Sequence, residues 1–173
     1  MKNRHPDSPE FAGDYNLDSI NLIGNDGNII DIKRMVNELN IYESIYSNSV
    51  TGSVVISDTL NTISRLPLQG TERLAFKLST PGAGGSGIVD ASIKTGAPFH
   101  IYKLSNREQI SEGITKYILH FCSRGMVRNT RTRVSQAYTG PLHEAVANII
   151  TDKSYLDLRK RLYFEPTRNN TTI

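Results

Sequence analysis

The segment ITKYILHFCS, residues 114 to 123, alternates with a period of two. Tyr117, Leu119 and Phe121 fall on one side of an extended chain, and Ile118, His120 and Cys122 on the other. Both sides are substantially apolar, as in a strand covered on two faces or lying at a subunit interface. A chain carrying such a segment is organised around a sheet, and the surrounding sequence repeats the same signature.

YNLDSINLI places Leu17, Ile20 and Leu22 near a strand, Asp26-Gly27 supplies a tight hairpin turn, and IIDIK returns as its partner. NELNIYESIYS sets Leu39, Ile41, Glu43 and Ile45 on one face and Asn40, Tyr42, Ser44 and Tyr46 on the other. SVTGSVVISD follows with β-branched Val50, Val54, Val55 and Ile56, joined to it by the polar turn SNS. Asp58 or Thr59 can cap a short helical turn near residues 59–65, with Leu60, Ile63 and Arg65 facing inward or stacking until Pro67 ends it. ERLAFKLS alternates Leu74, Phe76 and Leu78, and FHIYKLSN is a further strand.

One helix is expected near residues 141–152. Pro141 suits its first turn, and Leu142, Ala145, Val146, Ile149 and Ile150 mark a single apolar face that packs. KRLYFEPT reads as a last strand. The chain then stops in RNNTTI, among β-type residues, an ending expected of a fragment of a longer protein. The expected class is β-rich α+β, an antiparallel barrel or sandwich. Residues 1–14 form a mobile arm, 15–135 the β-domain with a Gly-rich loop at 80–97, and 136–173 a helix and strand bridging to a second domain.

TPGAGGSGIVDASI contains Gly82, Gly84 and Gly87 in the spacing G-x-G-x-x-G. A dinucleotide fingerprint needs a strand before the first glycine and a helix opening at the third. Thr80-Pro81 ends the preceding strand, and IVDASIKTGAP carries no helical stripe. Ile88 stands where a phosphate-binding loop needs lysine. The segment is therefore expected to be a long connection between strands.

His5, His100, His120 and His143 show no metal-ligand spacing, although His100 and His120 lie on strands that can pair. No G-x-S-x-G elbow places a nucleophile. Cys122 is read as a buried structural thiol. No catalytic residue, cofactor or metal is expected. RGMVRNTRTRV brings together Arg124, Arg128, Arg131 and Arg133, and LRKRL adds Arg159, Lys160 and Arg161. Without interleaved aromatics or a recognition helix, and with a net charge of only +3, these are better suited to acidic protein surfaces than to nucleic acid. No apolar run is long enough to anchor the chain in a membrane.

The succession LNIYESIYSNSVTGSVVISDT, LNTISRLPLQG, ERLAFKLSTPG, FHIYKLSNREQ, YILHFCS, RVSQAYTG, LHEAVANII and LYFEPT, spanning about residues 15 to 169, resembles the amino-terminal part of baseplate hub proteins of T4-type contractile-tailed phages. The resemblance implies a tail-tube-like barrel and a homotrimer that makes a pseudo-hexameric ring. It also implies virion partners: the central spike, tail tube or tube-initiator proteins, and the tape measure protein. Assembly would occur in the host bacterial cytoplasm, and no chemistry would be performed. A complete hub would continue past Ile173. Two other readings stay open: a β-rich module binding carbohydrate or another ligand through tyrosine platforms, and an enzyme using the Gly-rich loop.

Overall fold

The computed structural model describes residues 14–47, 49–66, 69–82, 87–95, 97–158, 162–167 and 170–172. The expected arm at 1–14 lies outside them but for Asp14, as do Pro67, Gly84, Gly96 and the basic run Arg159, Lys160 and Arg161.

The first hairpin forms as its turn residues require. Strands β1 (Asn16–Ile23) and β2 (Ile29–Asp31) pair antiparallel across Asp26-Gly27, with Gly27 at φ 84, a conformation glycine adopts without a β-carbon penalty. Asp31 Oδ1 then accepts the Lys33 N–H at 2.8 Å and turns the chain into a 3-10 turn, Lys33–Met35. From there β3 (Val36–Tyr42) and β4 (Thr51–Asp58) make a second antiparallel pair. The alternation was expected to continue through Glu43 and Ile45. Instead the strand ends at Tyr42, and Ile45 and Tyr46 stand 92% and 94% exposed in the connection.

Beyond β4 comes α1 (Thr62–Arg65), inside the expected turn at 59–65. Asn61, in the left-handed conformation at φ 54, occupies the N-cap position, but the Asp58 carboxylate does the capping from a distance. Its oxygens accept the Leu60 N–H at 3.0 Å, the Thr62 N–H at 2.7 Å and the Thr62 hydroxyl at 3.0 Å. Ile63 packs on the core as anticipated, whereas Leu60 is about half exposed because α1 begins only at Thr62 and leaves Leu60 ahead of it.

Strands β5 (Arg73–Ser79), β6 (Ile88–Ala91), β7 (Phe99–Ser111) and β8 (Ile114–Cys122) complete one antiparallel sheet of eight strands. Its order is β2-β1-β5-β7-β8-β4-β3, with β6 paired to β5. Strand β6 corrects the expectation that residues 80–97 are all connection. Glycine density hides it in the sequence, but β5 supplies a ladder from Phe76↔Ala91 to Ser79↔Ile88.

Both faces of β8 are used as its composition requires: Tyr117, Leu119 and Phe121 lie in the core, Ile118 and His120 are half-buried, and Cys122 is buried. Side chains from β1 (Ile20, Leu22) and from β4 (Val54, Ile56) join the same cluster, so the sheet curls around its core. Phe76, Phe99 and Phe121 pack ring to ring there, with centroids 5.1 to 5.8 Å apart. The sheet nevertheless does not close into the expected barrel. Its end strands β2 and β3 do not pair with each other among the described residues, because the 3-10 turn leads the chain away from β2 after three residues.

After β8, α2 (Arg124–Arg131) is a helix the sequence reading missed. Strand β9 (Thr139–Pro141) leads into α3 (Leu142–Thr151), the expected helix. Its stripe is only partly covered: Ala145 is buried, Ile149 and Ile150 are half-buried, and Leu142 and Val146 are more than 40% exposed. Residues 152–158 fold back on it, where Leu156 N–H and Leu158 N–H donate to the Ile149 and Ile150 carbonyls. The expected strand in KRLYFEPT is absent from its described part, 162–167, where Thr167 and Phe164 instead meet His143 of α3. Strand β10 (Asn170–Thr172) pairs with β9 instead.

Candidate functional site

The four arginines singled out in the sequence do not act as one surface. Arg124 and Arg128 lie on α2 and turn toward the segment after α3. Arg124 Nη2 sits 2.6 Å from Asp157 Oδ2, and its Nε donates to the Asp157 carbonyl. Arg128 reaches the same carboxylate at 3.5 Å and donates to the Leu156 and Lys153 carbonyls. Asp157, at φ 42, is thereby wrapped by two guanidinium groups, a bolt between α2 and residues 152–158. Arg131 and Arg133 are exposed, Arg131 at the end of α2, where its charge complements the helix dipole.

Strand register builds a second basic cluster that the sequence reading did not assemble. His100 of β7 stands opposite Arg73 of β5 on one side and opposite Cys122 of β8 on the other. Ser123 and Arg124 follow directly, so the start of α2 arrives at the same place. Between these elements lies a cavity of about 460 Å³ lined by Arg73, His100 and Arg124, with Val50, Val89, Phe99 and Leu158 among its apolar walls. A second cleft, of about 520 Å³, also includes Arg73 and His100 and is bounded by Met126, Val127 and Arg131 of α2.

Burial, followed by the nearby charges of Arg73, Arg124 and Arg131, holds the His100 imidazolium below its ordinary range. The unfolded chain therefore binds this proton more readily than the folded one, and the sign of the linkage follows. Stability from this group is intact above the ordinary histidine pKa of about 6.5 and declines as pH falls below it. Urea unfolding is expected to show a falling midpoint between about pH 7 and about pH 5 that is shallower in Arg73→Gln. Identical slopes in both proteins would remove Arg73 as a cause.

The remaining sequence candidates are dispersed. His120 Nε2 lies 2.8 Å from Ser105 Oγ across the β7–β8 pair, away from His100. His143 Nδ1 meets the Thr167 hydroxyl and backbone N–H, each at 3.1 Å. Burial raises the Cys122 thiol pKa, which leaves it protonated and unreactive at neutral pH. Among the described residues no group of three or more His, Cys, Asp or Glu is arranged to hold a metal ion, and no helix is long and apolar enough to cross a membrane. Gly82, at φ 75, follows β5, and the chain returns as the antiparallel strand β6, so among the described residues no helix opens after the glycines as a pyrophosphate cradle requires. Neither of the two clefts at His100 is lined by more than one tyrosine among the described residues.

Compared with known proteins, the chain matches no family model and no curated sequence.

Proposed function

We propose that the chain is a structural subunit of a phage tail baseplate hub, one of three whose tube-like domains build a pseudo-hexameric ring between the tail tube and the central spike. The observation that carries this reading is the outer edge of the sheet. Strand β3 pairs only with β4, and its other edge, seven residues long, is unpaired among the described residues. Tyr42, Ile45 and Tyr46 stand exposed at its end. A monomeric protein ordinarily blunts such an edge; an assembling one covers it with a neighbour. The function is then geometric: subunits hold a ring, and no bond is made or broken.

Light scattering on a sizing column is expected to give the mass of a trimer for the whole protein. Replacing Ile45 and Tyr46 together by lysine should leave the circular dichroism unchanged and shift the mass toward the monomer. A wild-type monomer at the highest soluble concentration would overturn the reading.

A further inference from the structure

We propose that the cavity between β5, β7 and the start of α2 binds a carboxylate carried on an apolar group, with the carboxylate against Arg73, His100 and Arg124 and the apolar part against Val50, Val89 and Phe99.

Three features lead there. The first is positive charge only partly answered by carboxylates. Arg73 makes no ion pair among the described residues, and Arg124 is answered by Asp157. Burial, and after it the charges of Arg73, Arg124 and Arg131, discourages His100 from holding a proton. A bound anion would reverse that balance, because an opposite charge within a few ångströms favours the imidazolium. Asp90 also lines the cavity, but Ser92 holds its carboxylate and Lys77 and Lys94 flank it, so its charge is already satisfied.

Helix α2 supplies the second feature. It opens at the cavity with Ser123 and Gly125 in the lining, and the Ser123 hydroxyl makes no capping hydrogen bond. The first N–H groups of α2 add to the positive potential that the arginines create.

The third is the character of the walls. A cavity at the small end of the range for ligand sites, with largely apolar walls and a few convergent polar groups, suits a short hydrocarbon or branched side chain ending in an anion. A bare hydrated ion would leave those walls uncovered. A free monocarboxylic acid and the carboxy-terminal residue of a partner chain present the same chemistry. The inference does not depend on the assembly reading.

The test uses the whole protein and follows the His100 imidazole signal by NMR during titration with hexanoate and, separately, with an acetylated tripeptide ending in leucine with a free carboxylate. Saturable shifts are expected, and the pH midpoint of His100 should rise in the bound state. Arg73→Gln should weaken binding about tenfold, with Arg73→Lys intermediate because it keeps the charge and loses the planar fork. Saturation by hexanoate alone assigns a free acid; saturation by the tripeptide alone assigns a chain terminus. The inference is overturned if neither saturates, if Arg73→Gln binds as well as the wild type, or if hexanol binds as well as hexanoate.

Discussion

Gly52→Ala is expected to lower the urea midpoint of unfolding at unchanged slope, a loss of about 3 kcal/mol. Gly52 lies on β4 between Ile41 of β3 and Phe121 of β8. A β-carbon there would stand 2.3 Å from the Asn40 carbonyl oxygen and 2.3 Å from Phe121 Cζ. Neither neighbour can yield cheaply. The carbonyl belongs to a paired strand, and the Phe121 ring is fully buried against Phe76 and Phe99. Gly27→Ala offers the contrast: nothing lies within 4 Å of the new carbon, and only the positive φ is strained, for a cost of about 1 kcal/mol. Equal losses for the two variants would mean that backbone conformation, not crowding, is what position 52 demands.

The second large effect is expected at Asp58. Its buried carboxylate accepts the Leu60 and Thr62 N–H groups, the Thr62 hydroxyl and, at 3.3 Å, the Tyr117 hydroxyl, linking the turn before α1 to the centre of β8. Asp58→Ala strands these donors in a site with little access to water and should cost about 3 kcal/mol. Tyr117→Phe removes one donor cleanly and should cost about 1 kcal/mol. Combined in a double-mutant cycle, the two should couple by about 1 kcal/mol, since the Tyr117 hydroxyl has lost its acceptor once Asp58 is gone. Strict additivity would show that the 3.3 Å contact contributes nothing.

These two positions also differ in how far the chain announces them. Asp58 was legible as a capping residue, because a carboxylate just before a short helical segment has a local use. Gly52 was not, because nothing within its own strand calls for glycine; the demand comes from Asn40 and Phe121, residues brought there by pairing. The same division runs through the elements. Helix α2 escaped notice because its three arginines outnumber Met126 and Val127, its apolar residues, and the weak signal available was Ser123 ahead of it. Strand β6 escaped because its pairing with β5 overrides the local effect of nearby glycines.

The sequence by itself determined the β-rich class, the Asp26-Gly27 hairpin, the two-faced character of β8, the capped turn before α1 and the place of α3. Each depends on side-chain periodicity or on the backbone preference of one or two residues, which are local properties of a chain. Only the tertiary structure decided the strand order, which strands end the sheet among the described residues, the partial exposure of α3 and the meeting of Arg73, His100 and Arg124. Those follow from which strands exchange hydrogen bonds and in what register, and the energy of such pairings resides in contacts between residues far apart along the chain.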